Sequence, residues 1–413
     1  MVQLNLTGLI IFSAALIAAS VLVTRGLVSF ESAKPDPSGR AAANPTPFPD
    51  AAPVVEQKDP APWGQLVTQD IDLEQPEEYL TFEADQNTTE TWAFEGMTPA
   101  AVRSLMQSCG VAADAIDRAL SLPLLSIVGS NTVVTPDMAL VLSLTPATRA
   151  RLYGALGRFG SNRLMQFPFC LVGQNAAGNF AGSGLGEDVT ALLRKLLYPR
   201  GDGQCFSDLG VLLREIPSQP ERLRVLKALS RQSAVMARLR IWPDTDVDKL
   251  LAYWCRGAQI KDLRPLLESL KRVPDGTSIS LLYLLPPFAR QRLYTYPEPG
   301  RAGDPAMDCH WTTMNFFNEV PDNRFSDPAY TVAFLESHYY KIGAPTAYGD
   351  RVFLLDRNGN AIHSAVYLAD GLVFTKNGNN FAQPWMLMRL KDLIAEYTTD
   401  IAPPMAVYRN RDR

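Results

Sequence analysis

The chain has 413 residues, 46% of them hydrophobic and 20% charged, and a net charge of -4. That length and balance suit a globular body of more than one domain. A slightly acidic chain without a long basic cluster argues against a nucleic-acid partner. Three histidines and no C-x-x-C pair leave no zinc-ligand spacing, so no metal is expected.

Residues 1–30 differ in kind from the rest. Between Leu4 and Val23 the polar interruptions are Asn5, Thr7, Ser13 and Ser20, and an apolar run of that length predicts a membrane anchor. Ala18-Ala19-Ser20 offers the alternative of a cleaved signal segment, but no Lys or Arg precedes the run, which favours the anchor. Arg25, Lys34 and Arg40 follow it, and a literal positive-inside count would leave the body cytoplasmic. The chemistry read below favours the other orientation: an inner-membrane anchor with a periplasmic body. Residues 31–64, with Lys34-Pro35-Asp36-Pro37 and Asn44-Pro45-Thr46-Pro47-Phe48-Pro49, predict an extended spacer.

Residues 65–285 read as a mainly helical domain. Its first part, to about residue 95, is acidic and mixed, with a short strand expected at Tyr79-Leu80-Thr81-Phe82. Thr98-Pro99 then supplies an N-cap with Pro at the first helical position, and Gly110 stops that helix. Further helices are expected over 187–197, 208–215, 220–239, 246–255 and 261–273. In the last, Leu263, Leu266, Leu267 and Leu270 form a stripe whose simplest use is core packing. Pro146-Ala147-Thr148-Arg149-Ala150-Arg151-Leu152-Tyr153 is echoed by Pro287-Phe288-Ala289-Arg290-Gln291-Arg292-Leu293-Tyr294, which reads as a shared structural unit; the alternative is two independent Pro-initiated helices with arginines on the wet face. The glycine run 173–186 lacks the Lys-Ser/Thr or strand context of a phosphate cradle and reads as a surface loop.

Of the cysteines at 109, 170, 205, 255 and 309, the odd number allows Cys170 with Cys205, or Cys109 with Cys255, to pair in an exported protein. The competing reading is buried thiols. Either leaves Cys309 free.

Cys309 sits in Asp308-Cys309-His310, ahead of a run with helical spacing, Trp311 to Phe317. A thiol at such a start is drawn toward thiolate, with Asp308 as the N-cap. His363 opens a strand-like segment, His363-Ser364-Ala365-Val366-Tyr367-Leu368. An imidazole there can take the thiol proton and return it to a leaving group. Strand alternation places Thr375 and Asn377 on one face, and Asn377 is the expected orienting partner of His363, with Thr375 as the alternative. Tyr296 is a candidate oxyanion donor beside the Cys309 amide. His310 lies about 100° round the helix from Cys309, which makes it a neighbour rather than a second base. His338 reads as filler in an amphipathic run.

The last quarter of the chain resembles the NlpC-type family of papain-like cell-wall peptidases. Asp308-Cys309 with its following helix is similar to that family's Asp-Cys-Ser nucleophile helix. Gly349-Asp350-Arg351-Val352-Phe353-Leu354 and His363 to Leu368 are similar to two of its strands. Asp370-Gly371 makes the hairpin turn before Leu372 to Lys376, and Tyr294-Thr295-Tyr296 is similar to its upstream Tyr-x-Tyr. The chain departs from the pattern at His310, in place of Ser, and at Thr375, where a second His is common. The resemblance implies an α+β papain-like domain over 286–413, with a nucleophile helix packed on an antiparallel sheet. It also implies a cofactor-free cysteine hydrolase acting on amide bonds in peptidoglycan stem peptides. Acyl transfer to lipids or amines, or a catalytically inactive binding module, are the other classes this pattern admits.

Overall fold

The computed structural model of the chain describes residues 61–412, apart from 81–89, 172–179, 181, 202, 256–258, 299–306, 379–382 and 399–400. The acidic stretch after the spacer is strand β1 (Gln65–Leu73). There follow β2 (Trp92–Phe94), α1 (Pro99–Ser108), α2 (Ala113–Ala119), β3 (Leu125–Val128), β4 (Asn131–Val134), α3 (Met138–Ser143) and α4 (Pro146–Leu156). Then come β5 (Phe169–Leu171), α5 (Glu187–Leu196), β6 (Tyr198–Arg200), β7 (Gly203–Phe206), α6 (Leu209–Glu215) and α7 (Gln219–Ser230). These helices surround two small antiparallel sheets, ordered β2-β4-β3 and β5-β7-β6. Trp92, Phe94, Leu152, Tyr153, Phe206 and Leu212 meet in their shared core.

The helix expected over 220–239 ends at Ser230, and Gln232–Ile241 is strand β8. Val235, Ala237, Leu239 and Ile241 are buried while Met236, Arg238 and Arg240 between them are less so, a period of two that suits a half-buried strand. β8 runs antiparallel to β1 from Gln65–Arg240 to Leu73–Gln232, and on its other edge to β9 (Thr277–Ser280). Helices α8 (Val247–Trp254) and α9 (Gln259–Leu270) lie between β8 and β9 in the chain. The region 65–285 therefore carries strands as well as the expected helices. The expected strand at 79–82 is instead a 3-10 turn at Glu77–Tyr79, and residues 81–82 lie outside the described residues.

The C-terminal part begins with α10 (Pro287–Arg292), α11 (Cys309–Asn315) and α12 (Pro328–His338). It continues with β10 (Tyr339–Ile342), β11 (Arg351–Leu355), β12 (Ala361–Ala369), β13 (Leu372–Lys376), β14 (Trp385–Arg389), α13 (Leu390–Tyr397) and β15 (Met405–Asn410). The strands form one antiparallel sheet ordered β10-β15-β11-β12-β13-β14. Asp370 and Gly371 turn β12 into β13 with φ of 48° and 72°, the left-handed backbone that an Asp-Gly hairpin accepts. Alternate side chains serve opposite faces. Phe353, Val366, Leu368 and Phe374 pack with Trp311, Met314 and Phe316 of the α11 segment. Val352, Leu354, Ala365 and Val373 pack with Leu393 of α13.

No break in packing falls at residue 285. One core runs from Val235 and Leu239 through Trp254 and Phe288 to Phe374 and Ala406. The Tyr294 hydroxyl donates to the Val235 carbonyl and that of Tyr253 to the Leu368 carbonyl, each at 2.7 Å. The echoed helices α4 and α10 both begin at a proline, but their packing differs. Arg149 is 1% exposed, not on a wet face: its guanidinium donates to the carbonyls of Val141 and Lys195, which offsets the cost of burying it.

The membrane expectation is corrected. Among the described residues no helix is long and apolar enough to cross a membrane. The longest of them run to 12 residues, against about 20 for a span. Residues 1–30 and most of the 31–64 spacer lie outside the described residues. A membrane partner and an inner-membrane location accordingly have no support.

Candidate active site

Asp308 caps α11, its carboxylate accepting from the Trp311 amide at 2.7 Å, and this places Cys309 first in the helix. Two strands fix the helix from below. Ser364 of β12 has Oγ 3.2 Å from the Cys309 carbonyl, 3.0 Å from Thr313 Oγ1 and 2.9 Å from His310 Nδ1. Trp385 Nε1 of β14 donates to Thr312 Oγ1 at 3.0 Å. The nucleophile candidate is thus held by residues that do not themselves react, as a positioned group requires.

His363 lies where the pairing of β11 with β12 slips, between Leu354–His363 and Leu355–Ala361. Such bulges re-aim side chains. The ring is fully buried and stacks on Tyr397 of α13, with centroids 4.5 Å apart and planes 25° from parallel. Its Nε2 is 2.8 Å from Thr375 Oγ1. Thr375 donates onward to Asn377 Oδ1 at 3.4 Å, and Asn377 Nδ2 donates to Glu396 Oε2 at 2.7 Å. The direction of this chain fixes the imidazole. Glu396 accepts from the amide, the amide oxygen accepts from the hydroxyl, and the hydroxyl must then accept from Nε2–H. Neutral His363 therefore keeps its lone pair on Nδ1, which is buried without a hydrogen-bond partner. Its titratable neighbour is the Cys309 thiol. A contact of this kind, in reach but not settled as a hydrogen bond, is common in a resting catalytic pair and tightens when substrate binds.

His310 also reaches the sulfur. Burial disfavours the Cys309 thiolate, yet the charge of His310 and the nearness of His363 bring the thiol well below its ordinary range. Burial likewise opposes the His310 imidazolium, but the Cys309 sulfur, the Asp308 carboxyl and a backbone hydrogen bond to Ala361 raise it to about 9. The ring is also stacked on Phe353 at 6.0 Å. A third cation lies close by. Burial pulls fully buried Lys376 down to about 8, against the pull of Cys309 and Asp308, and its Nζ donates to the Gly378 carbonyl at 2.9 Å. Asp308 itself is pushed up by burial and by the sulfur. The site is a thiolate among cations in an enclosed setting, where charge interactions are strong.

A direct consequence is measurable. Cys309 should be alkylated as a thiolate at neutral pH, faster than the other four thiols, and His310→Gln should move the pH midpoint of that reaction upward. An unchanged midpoint would show that His310 does not hold the charge.

The structure thus brings together Cys309, His363, Thr375 and Asn377, but in a different order of contact from the one expected. Thr375 touches the imidazole, and Asn377 acts one bond further out. Tyr296 is elsewhere: its hydroxyl donates to the Leu73 carbonyl of β1 at 3.2 Å, which commits it to joining the two sheets rather than to an oxyanion. His338 is exposed and stacks on Phe334 at 4.0 Å. Sequence reasoning read His310 as a neighbour rather than a second base, and passed over Ser364, Lys376, Glu396 and Tyr397. For Ser364 and Lys376 a signal existed, since strand alternation sets both on the face opposite His363 and Thr375.

Glu396 keeps some exposed surface as a residue, but burial of its carboxyl pushes it up to about 7 against the Asn377 hydrogen bond. Beside His310 a cavity of about 30 Å³ is lined by Asp308, Phe325, Val332, Leu335 and Phe353, among others. No family model, no curated protein and no solved structure matches the chain.

Proposed function

We propose that the chain is a cysteine hydrolase of papain-like type acting on amide bonds, with Cys309 as nucleophile and His363 as general base and acid. One observation carries this reading: the directed chain Glu396–Asn377–Thr375–His363, which leaves the Nδ1 lone pair for the thiol.

In the resting pair the thiol proton has already passed to His363 Nδ1; the thiolate sulfur attacks the carbonyl carbon, and Nδ1 gives that proton to the leaving amine as the C–N bond breaks. Water, deprotonated by the same nitrogen, cleaves the thioester and restores the thiolate with the proton on His363. His310 stays charged beside the sulfur and favours the thiolate in each resting state. Thr375 and Asn377 hold the imidazole in the productive tautomer.

The substrate class, peptidoglycan stem peptides, is supported by the sequence resemblance of Asp308-Cys309 and the strands around Asp350 and His363. Incubating the chain with purified peptidoglycan should release fragments with new amino and carboxyl ends, and Cys309→Ala should release none. Products from phospholipid or acyl-acceptor amines alone would assign the same thioester chemistry to acyl transfer. Equal release by Cys309→Ala would remove the nucleophile.

A further inference from the structure

The cavity beside His310 has an open rim and a closed, apolar base. Asp308 and His310, on either side of the nucleophile in the chain, line it and keep part of their surface exposed, as do Ser326 and Pro328 around the start of α12. Phe325, Val332, Leu335 and Phe353 complete much of the wall, and each is at most 5% exposed. Thr331, also on the wall, turns its hydroxyl to the Phe325 carbonyl at 3.0 Å. A volume of about 30 Å³ holds about two water-sized groups. That suits a methyl or ethyl group and is too small for an aromatic ring.

The cavity also lies on a definite side of the nucleophile. His310 has Nδ1 2.9 Å from Ser364 Oγ and stacks on Phe353, with ring centroids 6.0 Å apart. Successive residues of β12 face opposite sides of the sheet, so Ser364 and His363 do too. Phe353 packs with Trp311 and Phe316 on one side, and His363 stacks on Tyr397 of α13 on the other. The leaving amine must collect its proton from His363, which turns that half of the substrate toward His363. The acyl half is then turned toward His310 and the cavity.

We propose that this cavity receives the side chain of the residue whose carbonyl Cys309 attacks, and that it selects small aliphatic groups of alanine size. Val332 and Leu335 set its depth, and His310 forms the wall next to the sulfur. The inference rests on the reading of Cys309 as nucleophile and adds a substrate class to it: acyl groups with a methyl or ethyl branch are accepted, longer or aromatic ones refused. His310 stands where the resembled family has Ser, so the pocket belongs to this chain's own residues. In an apolar pocket one methylene too many or too few changes reactivity by about 10–200-fold.

Acetyl, propanoyl, butanoyl, hexanoyl and phenylacetyl esters of p-nitrophenol test this on the full chain. The thiolate displaces nitrophenolate and keeps the acyl group, read as a burst absent from Cys309→Ala and as added mass on Cys309. Each rate is divided by that of the same ester with glutathione. Propanoyl and butanoyl should acylate Cys309 about tenfold faster than hexanoyl and phenylacetyl. Leu335→Ala deepens the cavity and should bring hexanoyl up to the butanoyl rate. Val332→Phe fills it and should bring propanoyl and butanoyl down to the acetyl rate. Iodoacetamide labelling of each variant keeps a damaged nucleophile from being mistaken for a lost pocket, and the parent's own selectivity tests the proposal where a variant does not fold. Acylation at a rate independent of chain length overturns the pocket while the hydrolase reading stands, as does a length preference that both variants leave unchanged. A Cys309 that no ester acylates removes both.

Discussion

His363→Ala is expected to lower amide hydrolysis by about 10²–10⁴-fold, the span one general acid–base group supplies, and to slow alkylation of Cys309 at neutral pH. The imidazole does two jobs at Nδ1: it receives the thiol proton, and it protonates the leaving amine. His310 can substitute in part for the first, because its ring also reaches the sulfur. It has no route to the second if its Nδ1 is held on Ser364 and its charge is kept by Asp308 and the Ala361 backbone. The two readouts should therefore separate, hydrolysis falling much further than alkylation. Thr375→Val keeps the shape and removes the acceptor at Nε2, so it should reduce hydrolysis less than His363→Ala while freeing the ring to adopt the other tautomer. Single-turnover kinetics beside iodoacetamide labelling would measure both. A His363→Ala chain that hydrolyses at an undiminished rate would leave Cys309 without its base.

Parts of this site are legible in the linear chain, because they depend on local pattern. Asp308 before Cys309 is a cap followed by helical spacing, and the structure has that cap. Alternation along β13 correctly sets Thr375 and Asn377 on one side. It cannot say which of them meets His363, since that depends on the irregular pairing at β12, which no single strand encodes. Glu396 and Tyr397 arrive from α13, beyond a further strand, and nothing near Cys309 or His363 announces them. The misplaced helix over 220–239 has a similar origin. A good helical run to Ser230 continues into Gln232–Ile241, where the alternation of Leu239 and Ile241 with Arg238 and Arg240 is the only local warning. The role of His310 was hidden by assuming a regular helical projection at the first turn, where neighbouring side chains can converge on one point. Arg149 shows the limit of reading charge as exposure, because a guanidinium with carbonyl partners can sit in a core.

Removing the Asp350 carboxylate should cost about 1–3 kcal/mol of folding stability, the loss typical when buried hydrogen-bond donors lose their acceptor. Asp350 is fully buried. Its Oδ2 accepts from the Thr346 and Ala347 amides, each at 2.9 Å. Arg409 of β15 completes the set, with Nε 2.8 Å from Oδ1 and Nη2 2.7 Å from Oδ2. Asp350→Ala would leave the Thr346 and Ala347 amides without their acceptor and Arg409 without its charged partner, although the arginine keeps Thr346 Oγ1 at 2.6 Å and part of its surface in solvent. The residue also anchors the entry to β11, whose Leu354 pairs with His363, so loosening there should reach the active site. Asp350→Asn, which retains an acceptor but no charge, should cost less. The pH dependence has a definite sign. Burial raises the carboxyl, but Arg409 and the two amides outweigh it, and the folded value lies below the ordinary one. Its stabilisation is therefore complete above the unfolded value of about 3.9 and disappears as pH falls through the lower folded value. Urea unfolding at pH 7 should separate Asp350→Ala widely from the parent chain, and the gap should narrow as the pH is taken down toward 3. Equal midpoints at pH 7 would mean that the pair does not hold the sheet together.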